Sequence, residues 1–339
     1  MRIRTASLRV VAAAVWLSLL ATALWIAPVD GDDAYAHSVM AVEQLKCWRH
    51  GVMWPRFHPD WNGGTGSFLP SVYAPLTLTA EGVACWLTGE GSRAVSLVLL
   101  GGLLGGALLL WSALRTRGID GGVGWLVAAY PLAAVLARAT TTETMALAFA
   151  APALVLALPP GPRSARQGLA LGAAVALTAG CQVGMVLMTG LVLVAAWSIS
   201  AHAWRKGLLT AAWFGSGALA GGLFWWPTVH DISWMARDLL ARGEYDWRTH
   251  HVFSLASNEE LGLFLVACFF AVVLAGLAIA WSARGRRELR PLLAAVAWAL
   301  VLATPLSFPL WSAARFMAGL QFPWRFLGPA TVLCLAGAA

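Results

Sequence analysis

Three aspartates stand close together directly after the first apolar segment of the chain. Asp30, Asp32 and Asp33 fall within four residues and open a polar stretch over residues 30–75. A carboxylate in such a place can take the proton of an attacking hydroxyl group, which is general base catalysis. Aspartate also favours the first turn of a helix, where it accepts hydrogen bonds from free amides. Asp32 and Asp33 are therefore candidate catalytic bases, and helix capping is the alternative.

Cationic side chains that could bind a phosphate occur at two later positions. Arg325 follows Pro323 and Trp324, and Arg138 precedes three threonines that lead to Glu143. The planar guanidinium fork matches a pair of phosphate oxygens. Anchoring beside interfacial tryptophans is the alternative for Arg325. Glu143 could position an acceptor or help to hold a divalent cation, and a salt bridge from Arg138 to Glu143 is the alternative.

The remaining polar residues of interest are histidines and aromatic residues in the loops. His58 and the pair His250-His251 show no metal-binding spacing such as HExxH, so no metal site is predicted. We assign His37, His58 and Trp61 as accessory or acceptor-binding residues, because an aromatic ring such as that of Trp61 can stack on a sugar. A divalent cation as cofactor stays open.

The composition indicates an integral membrane protein. Hydrophobic residues make up 59% of the 339 residues and charged residues only 12%, whereas soluble domains carry about a quarter. Several charge-free runs approach or exceed the roughly 20 residues that cross a bilayer. The net charge of +7 is explained by arginine in cytoplasmic loops, and it does not indicate a nucleic-acid partner.

The charge distribution predicts an all-α protein with about nine to ten transmembrane helices and a cytoplasmic N-terminus. A charge-free stretch over residues 167–201 is divided into two spans near Gln182, because only then do the later arginine clusters lie inside. The chain is predicted to be a single transmembrane domain over residues 1–339, cut short within a tenth span. The predicted spans are 10–29, 94–114, 121–137, 144–158, two within 167–201, 208–227, 261–281 and 292–308.

Two long loops are predicted on the extracytoplasmic side. The first covers residues 30–92 and contains two helices along the membrane surface, over residues 32–48 and 76–87. The second covers residues 228–260. Cys47 and Cys85 in the first loop could form a disulfide in an oxidising compartment, or they could be two buried thiols. Because nearly all acids and histidines fall in these outer loops, a polar site at the outer face is expected.

The acid pair after the first span, followed by two surface helices, resembles the C-type glycosyltransferase superfamily. More closely, the blocks GVMWPRFHPDWNGGTGSF at 51–68, YAPL at 73–76 and QFPWRF at 321–326 resemble bacterial integral membrane proteins labelled 6-pyruvoyl-tetrahydropterin synthase-related. This resemblance runs over nearly the whole chain, but its specific parts are the first-loop and QFPWRF blocks. Nothing in the sequence resembles a soluble pterin enzyme.

The superfamily resemblance implies an enzyme of the bacterial inner membrane. It would transfer a sugar from a polyprenyl-phosphate donor to a cell-envelope acceptor at the extracytoplasmic face. The resemblance places a catalytic acid where Asp32 and Asp33 stand, and Arg325 with Arg138 would bind the donor phosphate. The oligomeric state, the sugar and the acceptor stay open.

Two other functions fit the same topology. The chain could be a non-catalytic membrane assembly or scaffold protein, or a transporter or flippase of lipid-linked sugar. A transporter is expected to carry acids or broken helices near mid-membrane and to show an internal repeat. The predicted spans contain almost no charge and no clear repeat, which favours the enzyme over the transporter.

Overall fold

The structure is a computed structural model, and it describes most of the chain between residues 34 and 338. Asp32, Asp33 and Arg138 lie outside the described residues. Within the described part, the secondary structure is helical apart from one isolated bridge between His58 and Ser67. The described residues are 18, 34–67, 70, 74–119, 141–200, 204–226, 247–254, 259–282, 284, 286–314, 317, 320 and 322–338.

Eleven longer helices lie within the described residues. In chain order they are α1 (Ala34–Arg49), α2 (Pro75–Thr88), α3 (Gly91–Thr116), α4 (Thr141–Ala157), α5 (Ala165–Cys181), α6 (Val183–Ser198), α7 (Trp204–Gly222), α8 (Glu259–Ser282), α9 (Arg290–Leu302), α10 (Phe308–Ala313) and α11 (Leu327–Ala338).

The two helices predicted for the first loop are present as α1 and α2. Pro75 begins α2, where its missing N–H would have no helical partner. Gly89 ends α2 in the left-handed conformation (φ 74°), and its N–H donates to the Cys85 carbonyl at 2.8 Å. Cys47 of α1 and Cys85 of α2 are both free and buried, so the disulfide alternative is wrong and these are two buried thiols.

Close backbone contact holds α1 against α3. A Cβ atom added to Gly91, the first residue of α3, would lie 2.2 Å from the carbonyl oxygen of Ser38 in α1. Only glycine permits this approach, so the start of α1 has a defined position relative to the bundle.

The charge-free stretch over residues 167–201 forms two helices that meet at Gln182, as the arginine count predicts. Gln182 has an extended backbone (φ −163°, ψ 114°), which ends α5 and begins α6. Its side chain is therefore presented at a helix break rather than along a helix surface.

The predicted span 292–308 is not one straight helix. The segment ends at Leu302, and the helical pieces Arg287–Leu302 and Pro305–Ala313 are inclined to each other by 87°. Proline at position 305 explains the break, because it disfavours helical geometry at Thr304, which adopts φ −108° and ψ 162°.

The membrane character of the fold is clear, although the number of spans stays a prediction. Among the described residues, three helical stretches are long and apolar enough to cross a bilayer, namely Gly91–Thr116, Arg205–Trp225 and Gly262–Ser282. The bent pair adds a fourth candidate, and Thr141–Ala157 and Val183–Ser198 are shorter apolar helices. The main core lies where α3 to α6 pack together with α8, α9 and α11.

Candidate active site

Glu143 and Arg325 form a buried ion pair. The Nη2 atom of Arg325 lies 2.6 Å from Oε1 of Glu143, and the side chains are 14% and 3% exposed. Glu143 stands in the first turn of α4, where the helix dipole favours a negative charge. Arg325 lies in a 3₁₀ turn, Pro323–Phe326, that leads directly into α11. The partner observed for Glu143 is thus a residue far along the chain.

Gln182 is the third member of this cluster. Its Nε2 atom donates a hydrogen bond of 2.8 Å to Oε1 of Glu143, the oxygen that Arg325 also contacts. The cluster therefore joins the start of α4, the break between α5 and α6, and the turn before α11. We refer to Glu143, Gln182 and Arg325 as the polar cluster.

The polar cluster keeps two unsatisfied atoms. Nε of Arg325 and Oε1 of Gln182 are buried, and neither has a hydrogen-bond partner among the described residues. A buried polar atom without a partner costs roughly 1–3 kcal/mol. The polar cluster therefore contains one buried donor and one buried acceptor without a partner in the described structure.

Arg325 also packs on aromatic rings. Its guanidinium carbon lies 4.3 Å from the centre of the Phe322 ring, which meets the His250 ring edge-on at 4.8 Å. The backbone N–H of Trp324 donates to the His250 carbonyl at 3.4 Å. The segment around His250 therefore packs against the turn that carries Arg325, and the stacking stabilises the position of the guanidinium.

His251 belongs to an aromatic cluster. It is 1% exposed, and its ring lies 5.8 Å from Trp247, 5.9 Å from Trp311 and 6.4 Å from Phe308. Burial lowers the pKa of His251 to about 4, so the imidazole is neutral near pH 7. The bend after Leu302 places Phe308 and Trp311 against this histidine.

In the first loop, His37 and Glu81 form a second buried pair. His37 Nδ1 of α1 and Glu81 Oε1 of α2 are 2.5 Å apart, and both side chains are fully buried. Burial raises the pKa of Glu81, and the neighbouring His37 opposes that change. The pair ties α1 to α2.

His58 and Trp61 lie together on the loop between α1 and α2. Their rings stack at 6.2 Å, and His58 is buried, whereas Trp61 is partly exposed. Burial lowers the pKa of His58 to about 4. Lys46 of α1 holds this loop by a contact of 2.8 Å to Asp60, and it also contacts Glu43 of the same helix at 2.7 Å. Neither predicted accessory residue of this loop contacts the polar cluster.

The described residues do not form a cation site on their own. Within the ranges that the structure describes, no group of three or more His, Cys, Asp or Glu side chains could hold a metal ion. A divalent cation would therefore need ligands from elsewhere in the chain or from a substrate.

Two residues of the polar cluster, Glu143 and Arg325, are among the predicted site residues, whereas Gln182 and Glu81 are not. Glu81 is a lone acid in a largely apolar helix, which is a signal for a buried partner. Gln182 stands at the predicted junction of two spans, so its position could have drawn attention to it. The pairing of these residues depends on how the helices pack.

The comparison with known proteins concerns the fold. No protein-family model and no curated protein sequence matches the chain. The fold is similar to the crystal structure of ArnT from Cupriavidus metallidurans in the apo state, with a TM-score of 0.58 and 20% identity. The match covers 97% of this chain and 58% of the ArnT chain. The chain thus has the helical fold of a multi-pass membrane protein, and the resemblance to the synthase-related proteins finds no support.

Proposed function

We propose that the chain is a membrane glycosyltransferase of the C type. ArnT, whose fold it resembles, is a glycosyltransferase of that type for 4-amino-4-deoxy-L-arabinose. The observation that carries the proposal is the polar cluster, which keeps an ion pair and two unsatisfied polar atoms within an apolar helix bundle. Buried charges often stabilise a fold less than apolar packing does, and such groups are concentrated at functional sites.

The proposed donor is a sugar linked to polyprenyl phosphate, and the acceptor is a hydroxyl group of the cell envelope. The acceptor oxygen attacks the anomeric carbon, and the bond from that carbon to the phosphate oxygen breaks. The acceptor proton passes to the carboxylate of Asp32 or Asp33, and the polyprenyl phosphate leaves with the electron pair. Guanidinium groups of Arg325 and Arg138 stabilise the charge on the leaving phosphate.

The packing of α1 supports the role of the two acids. Asp32 and Asp33 directly precede α1 in the chain. The pair of His37 with Glu81 and the close contact at Gly91 both fall within the first two turns of α1. A helix start held at two points can position catalytic groups, because catalysis needs them within a fraction of an ångström of the productive geometry.

A transporter of lipid-linked sugar is the second candidate, because the structure contains a broken helix. Transporter sites use broken helices whose ends bind the substrate, and they carry ionisable residues at that depth. The residues at this break, Ala303 and Thr304, carry no charge. The lack of charge at this break counts against the transporter, and the bend packs Phe308 and Trp311 against His251.

A transfer assay in nanodiscs tests the proposal. Wild-type protein is incubated with radiolabelled undecaprenyl-phosphate mannose, glucose or arabinose and an envelope extract as acceptor. We expect transfer from at least one donor, and a loss of about 100-fold or more in Asp32→Asn or Asp33→Asn. Equal turnover in all three proteins would contradict the assignment of the base. Movement of the donor across a proteoliposome bilayer without transfer would favour the transporter.

A further inference from the structure

The unsatisfied atoms of the polar cluster are one donor and one acceptor. Arg325 uses Nη2 for Glu143 and leaves Nε on the same edge of the guanidinium without a partner in the described structure. Gln182 uses its amide N–H for Glu143 and leaves its oxygen. Both contacts end on one carboxylate oxygen, and each unsatisfied atom is two covalent bonds from an atom that contacts this oxygen.

A hydroxyl group complements these two atoms. It accepts a hydrogen bond from Nε of Arg325 and donates one to Oε1 of Gln182. A fully ionised phosphate oxygen accepts only, so it would leave the Gln182 oxygen without a partner. It would also bring a negative charge close to the Glu143 carboxylate in a site of low dielectric.

The charge of the cluster also favours a neutral group. Glu143 and Arg325 neutralise each other at 2.6 Å, so a neutral ligand adds no buried net charge. Arg325 is 14% exposed, whereas Glu143 is 3% exposed, so Arg325 is the more accessible member of the pair. The donor phosphate is then left to Arg138 and to the other nitrogen of Arg325.

We infer that Gln182 and the Nε atom of Arg325 form a binding site for one sugar hydroxyl group, with Glu143 holding both side chains in place. This inference rests on the proposed function and makes Gln182 a specificity-determining residue. The hydroxyl belongs to the lipid-linked sugar or to a sugar acceptor. A water molecule has the same hydrogen-bonding capacity as a hydroxyl group, so a sugar that binds there competes with water.

Binding measurements test the inference without requiring turnover. Calorimetric titrations in detergent compare undecaprenyl-phosphate mannose, glucose and arabinose with undecaprenyl phosphate alone, and with the three methyl glycosides as free sugars. We expect wild-type protein to bind at least one sugar-bearing ligand with measurable affinity. Gln182→Leu should lower that affinity about tenfold and leave the affinity for the bare lipid phosphate unchanged. A loss confined to the lipid-linked sugars identifies the donor, and a loss confined to methyl glycosides identifies the acceptor.

Gln167 provides a matched control at the opposite end of α5. Its Nε2 atom donates to the Thr116 carbonyl at 3.1 Å, and its Oε1 accepts from the Arg163 N–H at 2.6 Å. Gln167→Leu is expected to leave sugar affinity unchanged. Equal losses in both variants would overturn the inference, because they would show a general effect of removing an amide.

Deoxy sugars on the wild-type protein give a measurement that does not depend on folding of a variant. Removing the one hydroxyl that Gln182 contacts should weaken binding about tenfold in wild type and leave Gln182→Leu unaffected. The inference would be overturned if Gln182→Leu and the removal of any hydroxyl group lowered the affinity independently of each other. It would also be overturned if wild-type protein bound no sugar-bearing ligand better than bare lipid phosphate. Binding with these dependences but without transfer would instead contradict only the proposed catalysis.

Discussion

The two ends of the α4–α5 hairpin use the same residue types in opposite ways. At the end where α4 runs into α5, Arg117 donates to the carbonyls of Leu156 and Leu158 at 2.7 Å each and of Pro159 at 3.4 Å. Gln167 at that end also has both side-chain groups bonded. At the other end, Arg325 and Gln182 each keep a buried atom that has no partner in the described structure.

The comparison suggests two uses of buried polar side chains, one that stabilises a helix end and one that we propose for ligand binding. Arg117 closes the last turn of α4 by satisfying carbonyls that a helix end leaves free, and this is a stabilising role. In the polar cluster, an arginine and a glutamine both contact one carboxylate oxygen. Each of the two side chains keeps a buried polar atom without a hydrogen-bond partner in the described structure. Because native structures satisfy nearly all buried polar groups, the two unsatisfied atoms at this end of the hairpin support our proposal that it is the ligand-binding end.

The largest effect is expected from Arg325→Leu. It leaves the Glu143 carboxylate buried without its cation, and removal of one partner of such a pair costs about 3 kcal/mol or more. We expect transfer activity to fall at least about 100-fold. Activity per folded protein and thermal unfolding in detergent check this result. Full activity in folded Arg325→Leu would contradict the proposal that the polar cluster binds the ligand.

Arg117→Leu is the counterpart at the structural end. Three carbonyl groups lose a charged donor, so we expect a destabilisation of about 3 kcal/mol. Turnover of the protein that stays folded should remain within about twofold of wild type. Thermal unfolding and single-turnover kinetics measure the two quantities. A variant of unchanged stability with impaired turnover would reverse the comparison.

A smaller effect is expected for His251, which is buried near the ligand end. Its pKa falls from 6.5 to about 4 on burial, so the folded state binds fewer protons than the unfolded state between these values. The contribution of neutral His251 to the free energy of unfolding is therefore complete above pH 6.5 and is lost as the pH falls towards 4. The expected loss is about 2 kcal/mol after allowance for solvent screening.

Unfolding profiles from pH 7 to pH 4 check this prediction. His251→Phe should flatten the profile relative to wild type, because phenylalanine has no proton to bind. His50→Ala, a substitution at an exposed position, is the control. Parallel profiles for wild type and His251→Phe would show that this histidine does not titrate as inferred.

The smallest effect concerns the contact that places α1. Gly91→Ala brings a Cβ atom to 2.2 Å from the Ser38 carbonyl, so α1 must shift, at a cost of roughly 1–2 kcal/mol. Gly101→Ala is the control, because an added Cβ meets nothing within 4 Å there. If the acids before α1 are catalytic, kcat should fall in Gly91→Ala and stay unchanged in Gly101→Ala. Equal kcat values in the two variants would show that the position of α1 does not affect catalysis.

Sequence patterns predicted several of the described helices and some of their ends, whereas the predicted spans 10–29 and 121–137 lie outside the described residues. Composition indicated a membrane protein, the arginine count located the helix junction at Gln182, and Pro75 with Gly89 limited α2. These features are local, because a proline, a positive-φ glycine or an apolar run acts on its own segment. The break after Leu302 was missed although Pro305 was visible, because the apolar run across it satisfied the length rule for a span.

Partners of the polar residues could be assigned only from the packed structure. Arg138 is five residues from Glu143 and was the alternative partner in sequence, yet Arg325 and Gln182 are the partners that the described residues contain. His37 and Glu81 likewise meet across 44 positions. Hydrophobic periodicity tells which helices form, whereas the packing of those helices decides which polar groups share one buried space, and no local pattern encodes that choice.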